Sequence, residues 1–372
     1  MIQEQQSKYR NETTPARYLE IVWYSSADLL RMNFWKELPK PLIVIAPMAD
    51  VTDAAFRRMI AKYSAHTRAD GTIGGPDVTW TEFVAADGLV RATPEGKEKL
   101  MADLLYSKEE RPIVAQLFTS NVEHMEIAAK LCLDLGFDGV DINMGCPDRS
   151  IEKQGCGAGM IRHPESAKAI IQAAKRGARS DEVGGIPVSV KTRIGYNVDE
   201  LEEWLPAILS QSPAAVTLHA RTRKDMSKVP ARWERIQRAV EIRDALGSQT
   251  LILGNGDALS LADAQAKVDA TGADGVMLGR AIFGNPWLFH PDKDISNVSL
   301  EERLRVMVEH TKLFVELLPF KNFAVMKKHY KAYVNTFPGA VELRAELMEQ
   351  NSPEDIEIIV ERFLQIIPRP KE

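Results

Sequence analysis

Cys146 is the residue best placed to do chemistry. It stands between Gly145 and Pro147, directly after an apolar run over 139–144 that predicts a buried strand. A cysteine fixed in this way where a strand ends is a reactive group at the start of a loop. A free thiol has a pKa of about 8.5, so it becomes a nucleophile only beside a base or a cation. The adjacent residues leave open whether Cys146 is a nucleophile, a proton donor or a buried structural cysteine.

The other two cysteines stand in different surroundings. Cys132 lies within the apolar pattern of a predicted helix over 122–135, so we expect it in the core. Cys156 lies in a glycine-rich turn over 155–159, from which it could reach the same rim as Cys146. Three cysteines without a CxxC pair indicate a reducing compartment, and they predict neither a disulfide framework nor a structural zinc site.

Glycine-bearing loops follow the last two predicted strands. Asn255, Gly256 and Asp257 follow the seventh strand, and Gly279 and Arg280 follow the eighth. Loops in these places bind phosphate in barrel enzymes, because glycine lets backbone N–H groups approach an anion. Ordinary turns are the alternative for either loop alone, but both together favour a phosphate site.

Polar side chains also stand where four other strands end. Gln116, Asn143, Lys191 and His219 offer amide, ammonium and imidazole groups to a planar polar ring. A cation such as Lys191 would stabilise the anionic reduced form of a flavin. Each residue alone could be a capping or surface residue, and His219 could be a core histidine. As a set they favour a flavin mononucleotide (FMN) over a sugar phosphate.

From residue 42 onwards, short apolar runs alternate with helical patterns, which is typical of βαβ units. The predicted strands cover 42–46, 78–81, 112–117, 139–143, 187–191, 215–219, 250–254 and 275–278. The predicted helices cover 53–63, 122–135, 164–179, 198–211, 231–246 and 259–271. Because the special residues at the strand ends meet on one rim only in a closed sheet, we predict a (β/α)8 TIM barrel over 41–291. An open doubly wound sheet is the alternative.

The two ends of the chain have a different character. Helical patterns over 300–317, 321–336, 342–348 and 353–367 predict a C-terminal helical domain over 292–372. Residues 1–40 form an N-terminal extension without a clear period. Apolar runs stay well below the ~20 residues that span a bilayer, and a signal peptide is lacking, so we expect a cytoplasmic protein.

Charge is distributed unevenly. A net charge of −5 argues mildly against a nucleic-acid partner. Residues 219–238, however, contain seven basic and two acidic side chains, a local charge of +5. A second basic cluster contains Lys321, Lys327, Lys328 and Lys331. Two solvated faces are the plain alternative to a binding surface.

In combination, these motifs resemble the tRNA-dihydrouridine synthases. The matching stretches are APMADVTDAAFR (46–57), TEF (81–83), AQL (115–117), DINMGCP (141–147), GAGM (157–160), VSVKTRIG (188–195), LHARTR (218–223), GNGD (254–257), DGVMLGRAIFGNPWLF (274–289), KKHYKAYV (327–334) and ELR (342–344). They span about 42–365 in the expected order. The resemblance implies an FMN-containing barrel that reduces the 5,6 double bond of a uracil in tRNA, with NADPH or NADH as reductant.

The resemblance also implies roles for individual residues. Cys146 would donate a proton to carbon 5 of the uracil while the reduced flavin delivers hydride to carbon 6. The residues implied to contact the flavin are Pro47, Met48, Gln116, Lys191, His219, Asn255, Gly256, Asp257, Gly279 and Arg280. The residues implied to lie near the uracil or the RNA are Asn143, Arg193, Arg221, Arg223, Lys327 and Lys328.

Alternatives and departures from the family pattern remain. Another FMN barrel that acts on a free pyrimidine, such as dihydroorotate, would share the flavin residues but needs no basic helical domain. A non-catalytic RNA-binding relative would not need Cys146, Lys191 or His219. The N-terminal extension and an insertion over 66–75 depart from the pattern, and Cys156 makes a disulfide or a second acid conceivable. We expect a monomer without an obligate protein partner.

Overall fold

Eight parallel strands form the central sheet of the computed structural model, which describes residues 33–366. They are β1 (Leu42–Ile45), β2 (Thr79–Ala85), β3 (Ile113–Phe118), β4 (Gly139–Met144), β5 (Val188–Arg193), β6 (Ala215–His219), β7 (Leu251–Asn255) and β8 (Gly275–Leu278). The hydrogen-bonded order is β1-β8-β7-β6-β5-β4-β3-β2. Ile45 N donates to Val78 O at 3.2 Å, which joins the two outer strands of this order. The predicted (β/α)8 barrel is confirmed, and the open-sheet alternative is wrong.

The strands bury both of their faces. Every position of β3 and β4 is buried, as expected for parallel strands enclosed by helices. The parallel register sets Asn143 beside Lys191 and His219 beside Asn255. Because the strands run in one direction, their carboxyl ends lie on one rim of the barrel. The polar residues that end these strands are thereby collected there.

Nine helices accompany the barrel within the described residues. They are α1 (Ala54–Tyr63), α2 (Ala86–Arg91), α3 (Pro94–Asp103), α4 (Val122–Asp134), α5 (Arg149–Glu152), α6 (Pro164–Gly177), α7 (Leu201–Leu209), α8 (Trp233–Ala245) and α9 (Leu261–Thr271). The side chains of Asp53, Asn121 and Ser260 cap α1, α4 and α9 by accepting backbone N–H groups. Helices α2, α3 and α5 were not predicted, because α2 and α5 are only six and four residues long and α3 buries a single residue.

Part of the predicted N-terminal extension packs on the barrel. Phe34 and Trp35 are buried and stack on each other at 4.8 Å between ring centroids. Trp35 also contacts Trp80, and both belong to an apolar cluster with residues of several barrel strands. Residues 1–32 of the extension lie outside the described residues. The insertion over 66–75 contains a two-stranded antiparallel hairpin of His66–Thr67 and Ile73–Gly74.

Four further helices confirm the predicted C-terminal helical region, while its boundary at residue 292 stays a prediction. They are α10 (Leu300–Leu317), α11 (Met326–Tyr333), α12 (Ala340–Glu349) and α13 (Pro353–Ile366). Phe56 of α1 and Met307 and Phe314 of α10 belong to one apolar cluster, so this region shares a core with the barrel. The single helix predicted over 321–336 is wrong: Asn322 caps a short 3-10 turn before α11 begins. Among residues 33–366, no helix has the length and apolar character to cross a membrane.

Candidate active site

A cavity of about 190 Å³ opens among the carboxyl ends of the barrel strands. It is lined by Ala46, Pro47, Met48, Lys191, His219, Arg221, Ser227, Asn255, Gly256, Asp257, Ala258, Leu259, Gly279 and Arg280. Nine of the ten residues predicted to contact the flavin are among them, so the structure brings these residues together. The sequence analysis did not identify four lining residues, Ala46, Ser227, Ala258 and Leu259, and only their positions after β1, β6 and β7 could have indicated them.

His219 presents a neutral imidazole to this cavity. Burial, together with the nearby Arg193 and Lys191, lowers the pKa of His219 well below its ordinary value. Arg221 Nη1 lies 3.1 Å from His219 Nε2. Because a guanidinium only donates hydrogen bonds, Nε2 accepts and Nδ1 carries the proton. His219 therefore has one remaining donor for a ligand.

Lys191 is a buried amine beside the imidazole. Its Nζ lies 3.3 Å from Asn255 Oδ1, and Asn255 Nδ2 donates to Met277 O at 2.8 Å, which fixes the amide. Burial lowers the pKa of Lys191 to about 8, with the positive charge of Arg193 acting in the same direction. The negative charge of Asp141 acts in the opposite direction. A planar ring with an anionic edge would be attracted to this amine.

The part of the cavity formed by Gly256, Asp257 and Arg280 has the chemistry of an anion site. Gly256 has φ +123°, and a Cβ there would lie 2.9 Å from Ala231 Cβ, so the position requires glycine. The carboxylate of Asp257 lies between two guanidiniums, 2.5 Å from Arg221 Nη2 and 2.5 Å from Arg280 Nη2. Two cations and one anion leave a net positive charge beside the glycine. Arg280 is exposed enough for its other N–H groups to reach a ligand.

The loop that carries Cys146 is held by its neighbours. Asn143 Oδ1 accepts from Gly145 N at 3.1 Å and from Cys146 N at 2.9 Å. Arg193 Nε donates to Gly145 O at 2.7 Å. Gly157 lies close against Cys146 O, where a Cβ would come to 2.7 Å. The thiol is thus mounted on a backbone with little freedom.

The surroundings of Cys146 favour a thiol over a thiolate. Burial raises its pKa. A hydrogen bond from the backbone of Asp148 and the charges of Arg193 and Lys191 oppose this rise, and the negative charge of Asp148 adds to it. Cys146 packs against an apolar cluster of Phe118, Ile151 and Cys156. The nucleophile alternative requires a thiolate and fits poorly, whereas a proton donor must hold its proton at neutral pH.

Cys156 is a core residue of that cluster. Its side chain is buried, burial raises the pKa of its thiol to about 11, and its Sγ donates to Gln154 O at 3.5 Å. The described residues include all three cysteines, and each is a free thiol, so the conceivable disulfide is absent from the structure. Cys132 is fully buried in a helix, as predicted.

Gln116 and Asn143 form a hydrogen-bonded layer rather than a cavity lining. Gln116 is fully buried; its Nε2 donates to Asp141 Oδ2 at 2.7 Å, and its Oε1 accepts from Asn143 Nδ2 at 3.0 Å. Gln116 is the one predicted flavin residue that the cavity does not include. The amide groups of both residues are engaged within the protein, where they support the loop of Cys146.

Most of the basic side chains over 219–238 are neutralised by carboxylates. Arg223 forms a two-pronged ion pair with Glu152, whose Oε1 lies 2.6 Å from Arg223 Nε. Arg232, Arg235 and Arg238 pair with Asp225, Asp199, Glu202 and Glu241. The stretch is therefore not the free +5 surface that its composition indicates. Lys224 and Lys228 are its exposed cations that lack an ion pair within residues 33–366.

The lysines of the helical region differ among themselves. Lys328 is half-exposed on α11, and its Nζ lies 3.0 Å from Asp50 Oδ2. Lys327 Nζ lies 3.5 Å from Asn351 Oδ1. Neither lines the cavity. Lys321 points inward to Glu82, so this member of the second basic cluster is not part of an exposed basic surface.

Comparisons with known proteins place this site in context. A family model described as dihydrouridine synthase matches residues 44–367. The probable tRNA-dihydrouridine synthase 2 of Bacillus subtilis (strain 168) is 38% identical over 337 residues, which cover 89% of this chain and 96% of that protein. The probable tRNA-dihydrouridine synthase of Staphylococcus aureus (strain MRSA252) is 36% identical over 337 residues, covering 90% and 96%. The solved old yellow enzyme homologue from Zymomonas mobilis aligns with 66% of this chain and 86% of its own, at 13% identity and a TM-score of 0.42.

Proposed function

The chain belongs to the dihydrouridine synthase family of flavin-dependent oxidoreductases, and we propose that it reduces the 5,6 double bond of uridines in tRNA. FMN is the proposed flavin and NADPH the proposed reductant. The observation that carries the proposal is one cavity that combines a buried amine, a neutral imidazole and an anion cradle on the rim that bears Cys146. The relatives that align over 96% of their length are named for tRNA, which supports the RNA substrate.

The residues of the cavity fit FMN by their chemistry. Gly256 and Arg280 would hold the phosphate, and Asp257 would keep the arginine in place through its ion pair. Lys191 and His219 would bind the polar edge of the ring, where a cation favours negative charge. Pro47, Met48 and Gly279 would line the ring. When bound and reduced by NADPH, FMN supplies the hydride that adds to carbon 6 of uracil.

Cys146 would complete the reaction as the acid. A proton from its thiol forms the new C–H bond at carbon 5, and hydride plus proton convert uracil to 5,6-dihydrouracil. The raised pKa of Cys146 keeps that proton in place until the transfer. Arg193 and Asn143 would hold the loop of Cys146 in place through their hydrogen bonds to its backbone. The second N–H of the Asn143 amide would be able to donate a hydrogen bond to the uracil base.

The RNA must present an unstacked base to this rim, which costs a few kcal/mol. Lys327 and Lys328 of α11 would contact the phosphate backbone. Arg193 and Arg221 would lie near the substrate, where they hold the loop of Cys146 and the carboxylate of Asp257. Arg223 would act through its ion pair with Glu152 rather than by direct contact. A cytoplasmic location and a monomeric state are part of the proposal.

The test is dihydrouridine formation in unmodified tRNA by the FMN-loaded protein with NADPH. Cys146→Ala should retain FMN and tRNA but lose about 10²- to 10⁴-fold in product formation, the usual worth of a positioned acid. Cys156→Ala is the matched control, and it should retain activity because that thiol lies in the apolar cluster.

Three outcomes would contradict the proposal at different points. Full activity of Cys146→Ala would remove this thiol from the reaction. Protein without flavin absorbance that FMN cannot reconstitute would contradict the enzyme assignment, and would favour a non-catalytic RNA-binding relative. Activity on a free pyrimidine but not on tRNA would favour the dihydroorotate-type alternative.

A further inference from the structure

Lys321 is a cation of the helical region that is buried against the rim of the barrel. It lies in the turn between α10 and α11, and its side chain is only 17% exposed. Its Nζ lies 2.5 Å from Glu82 Oε2 and 2.9 Å from Asp103 Oδ1. Glu82 belongs to β2 and Asp103 ends α3, so a single ammonium joins the helical region to two elements of the barrel.

The second oxygen of Glu82 extends this connection to the cavity. Glu82 Oε1 accepts from Asp50 N at 2.6 Å. Asp50 has φ +52° and lies in a turn in which Thr52 N donates to Met48 O, while Met48 N donates to Thr52 Oγ1 at 2.8 Å. Met48 lines the cavity. Glu82 therefore stands between Lys321 and one wall of the proposed flavin site.

Lys328 reaches the same turn from outside, but by a weaker contact. Both side chains of its ion pair with Asp50 are about half exposed. Exposed ion pairs contribute little to stability, because water screens the two charges. Lys321 differs because its partners are largely buried. Removing one member of a buried pair leaves an uncompensated charge, which is strongly unfavourable. Lys321, through its buried ion pair, is therefore the lysine that holds Glu82 in place, whereas Lys328 contacts only Asp50.

We propose that Lys321 is a positioning residue for the flavin site. By holding Glu82 it fixes the turn at Asp50, and through that turn the wall formed by Pro47 and Met48. The inference rests on the proposed function, since that wall is assigned to the flavin. It also gives the helical region a second role, because the region then shapes the cofactor site as well as meeting RNA.

The charges around Glu82 give the proposal a distinctive signature. Lys321 faces Glu82 from the helical region, Asp103 faces it from α3, and Asp53 from the start of α1. Burial raises the pKa of Glu82 to about 7, and Lys321 is the cation that opposes this rise. Without Lys321, three carboxylates would repel one another at high pH. Protonation of Glu82 at lower pH would relieve much of that repulsion.

The experiment compares FMN dissociation constants of the full chain, measured by flavin fluorescence near pH 6 and near pH 8. Lys321→Met should weaken FMN binding by about tenfold or more near pH 8, and by less near pH 6. Lys321→Arg keeps the cation and should restore binding. Lys312→Met is the matched control, because Lys312 pairs with Glu357 on the surface of the helical region. It should bind FMN like the unchanged protein.

A second variant keeps the proposal testable if Lys321→Met does not fold, as judged by circular dichroism. Glu82→Ala leaves Lys321 paired with Asp103 but removes the acceptor for Asp50 N, so it should weaken FMN binding near pH 8 to a similar extent. Unchanged FMN affinity in either folded variant would overturn the proposal, as would an equal loss at both pH values without rescue by arginine. Failure of the unchanged protein to bind FMN would instead contradict the proposed function.

Discussion

At the scale of single residues, burial sets the protonation states around the cavity. It raises the pKa of Cys146, lowers that of His219, and lowers that of Lys191 to about 8. All three shifts favour the neutral form, as desolvation does. At neutral pH the thiol of Cys146 and the imidazole of His219 are therefore uncharged, whereas Lys191, with a pKa of about 8, keeps its positive charge. Arg221 and Arg280 both form ion pairs with Asp257.

Gly256→Ala tests the anion side of the cavity. An alanine at φ +123° would be strained by about 1–3 kcal/mol, and its Cβ would press on Ala231 beside Arg221. We expect a lower free energy of unfolding in urea. We also expect FMN binding weaker by about tenfold, because a tenfold change in affinity corresponds to about 1.4 kcal/mol, which lies within the range of that strain.

Gly272→Ala separates the two effects. Gly272 has φ +70° at the end of α9, where a Cβ would meet nothing closer than 3.9 Å. This variant should lose some stability but bind FMN normally. Equal FMN affinity of the two variants would show that Gly256 is needed only for the backbone.

Which residues line the cavity could largely be predicted from the sequence, but their ion pairs could not. Chain order alone places the ends of β5 to β8 on one rim, and this is why Lys191, His219 and Asn255 were found. The partner of Arg223 is 71 residues away and that of Lys321 is 239 residues away. A sequence does not show which lysines and arginines form ion pairs, because no local pattern indicates a carboxylate that is distant along the chain.

At the scale of elements, strands and helices were predicted correctly where the pattern of apolar residues is clear. All eight strands were placed to within a few residues, since runs such as IVAQLF are buried along their length. The prediction failed for α2, α3 and α5, which pack through few residues, and for the region around α11. There, Asn322 offers its side chain to the backbone and interrupts the helical pattern.

Helices α10 and α11 meet α1 at a pair of buried histidines. His310 and His329 have ring centroids 4.6 Å apart, and each packs within about 5 Å of the Phe56 ring. Neither imidazole has a hydrogen-bond partner within the described residues. Burial lowers the pKa of His329 to about 3 and that of His310 well below its ordinary value. The interface is therefore built for neutral rings.

This pair predicts acid sensitivity of the fold. Both histidines gain a proton in the unfolded chain near pH 6.5, so below that pH the unfolded state binds more protons. The free energy of unfolding should then fall by up to about 1.4 kcal/mol per pH unit for each histidine, and should be independent of them above pH 6.5. Urea unfolding at a series of pH values measures the slope.

His329→Leu should flatten that slope, because leucine does not titrate. His163→Leu is the control, since His163 is exposed and should leave the slope unchanged. Identical slopes for the unchanged protein and His329→Leu between about pH 6.5 and pH 4.5 would rule out His329 as a source of the acid sensitivity.

At the scale of the whole molecule, the proposed tRNA substrate would require an acidic protein to bind a polyanion. The net charge is −5, and the arginines over 219–238 are largely matched by carboxylates. Long-range attraction of the whole protein for RNA is therefore weak. In the proposed function, RNA binding would depend on a few local cations such as Lys327 and Lys328. Lys228 follows Ser227, a residue that lines the cavity.

Reversing the charge of α11 tests this directly. Lys327→Glu combined with Lys328→Glu should weaken tRNA binding by about tenfold or more near 0.1 M salt, and should lower the slope of log affinity against log salt by about two. Reduction of the flavin by NADPH and its reoxidation by oxygen should persist, because neither lysine lines the cavity. Binding is measured by filter retention across a salt series.

Lys130→Glu combined with Lys168→Glu gives the same change of net charge on α4 and α6, where both lysines already pair with carboxylates. If the RNA responds to local contacts, this control should bind tRNA within about twofold of the unchanged protein. Equal weakening in both double variants would mean that net charge alone governs binding. Unchanged binding in the α11 variant would move the RNA surface away from the helical region, toward Lys224 and Lys228.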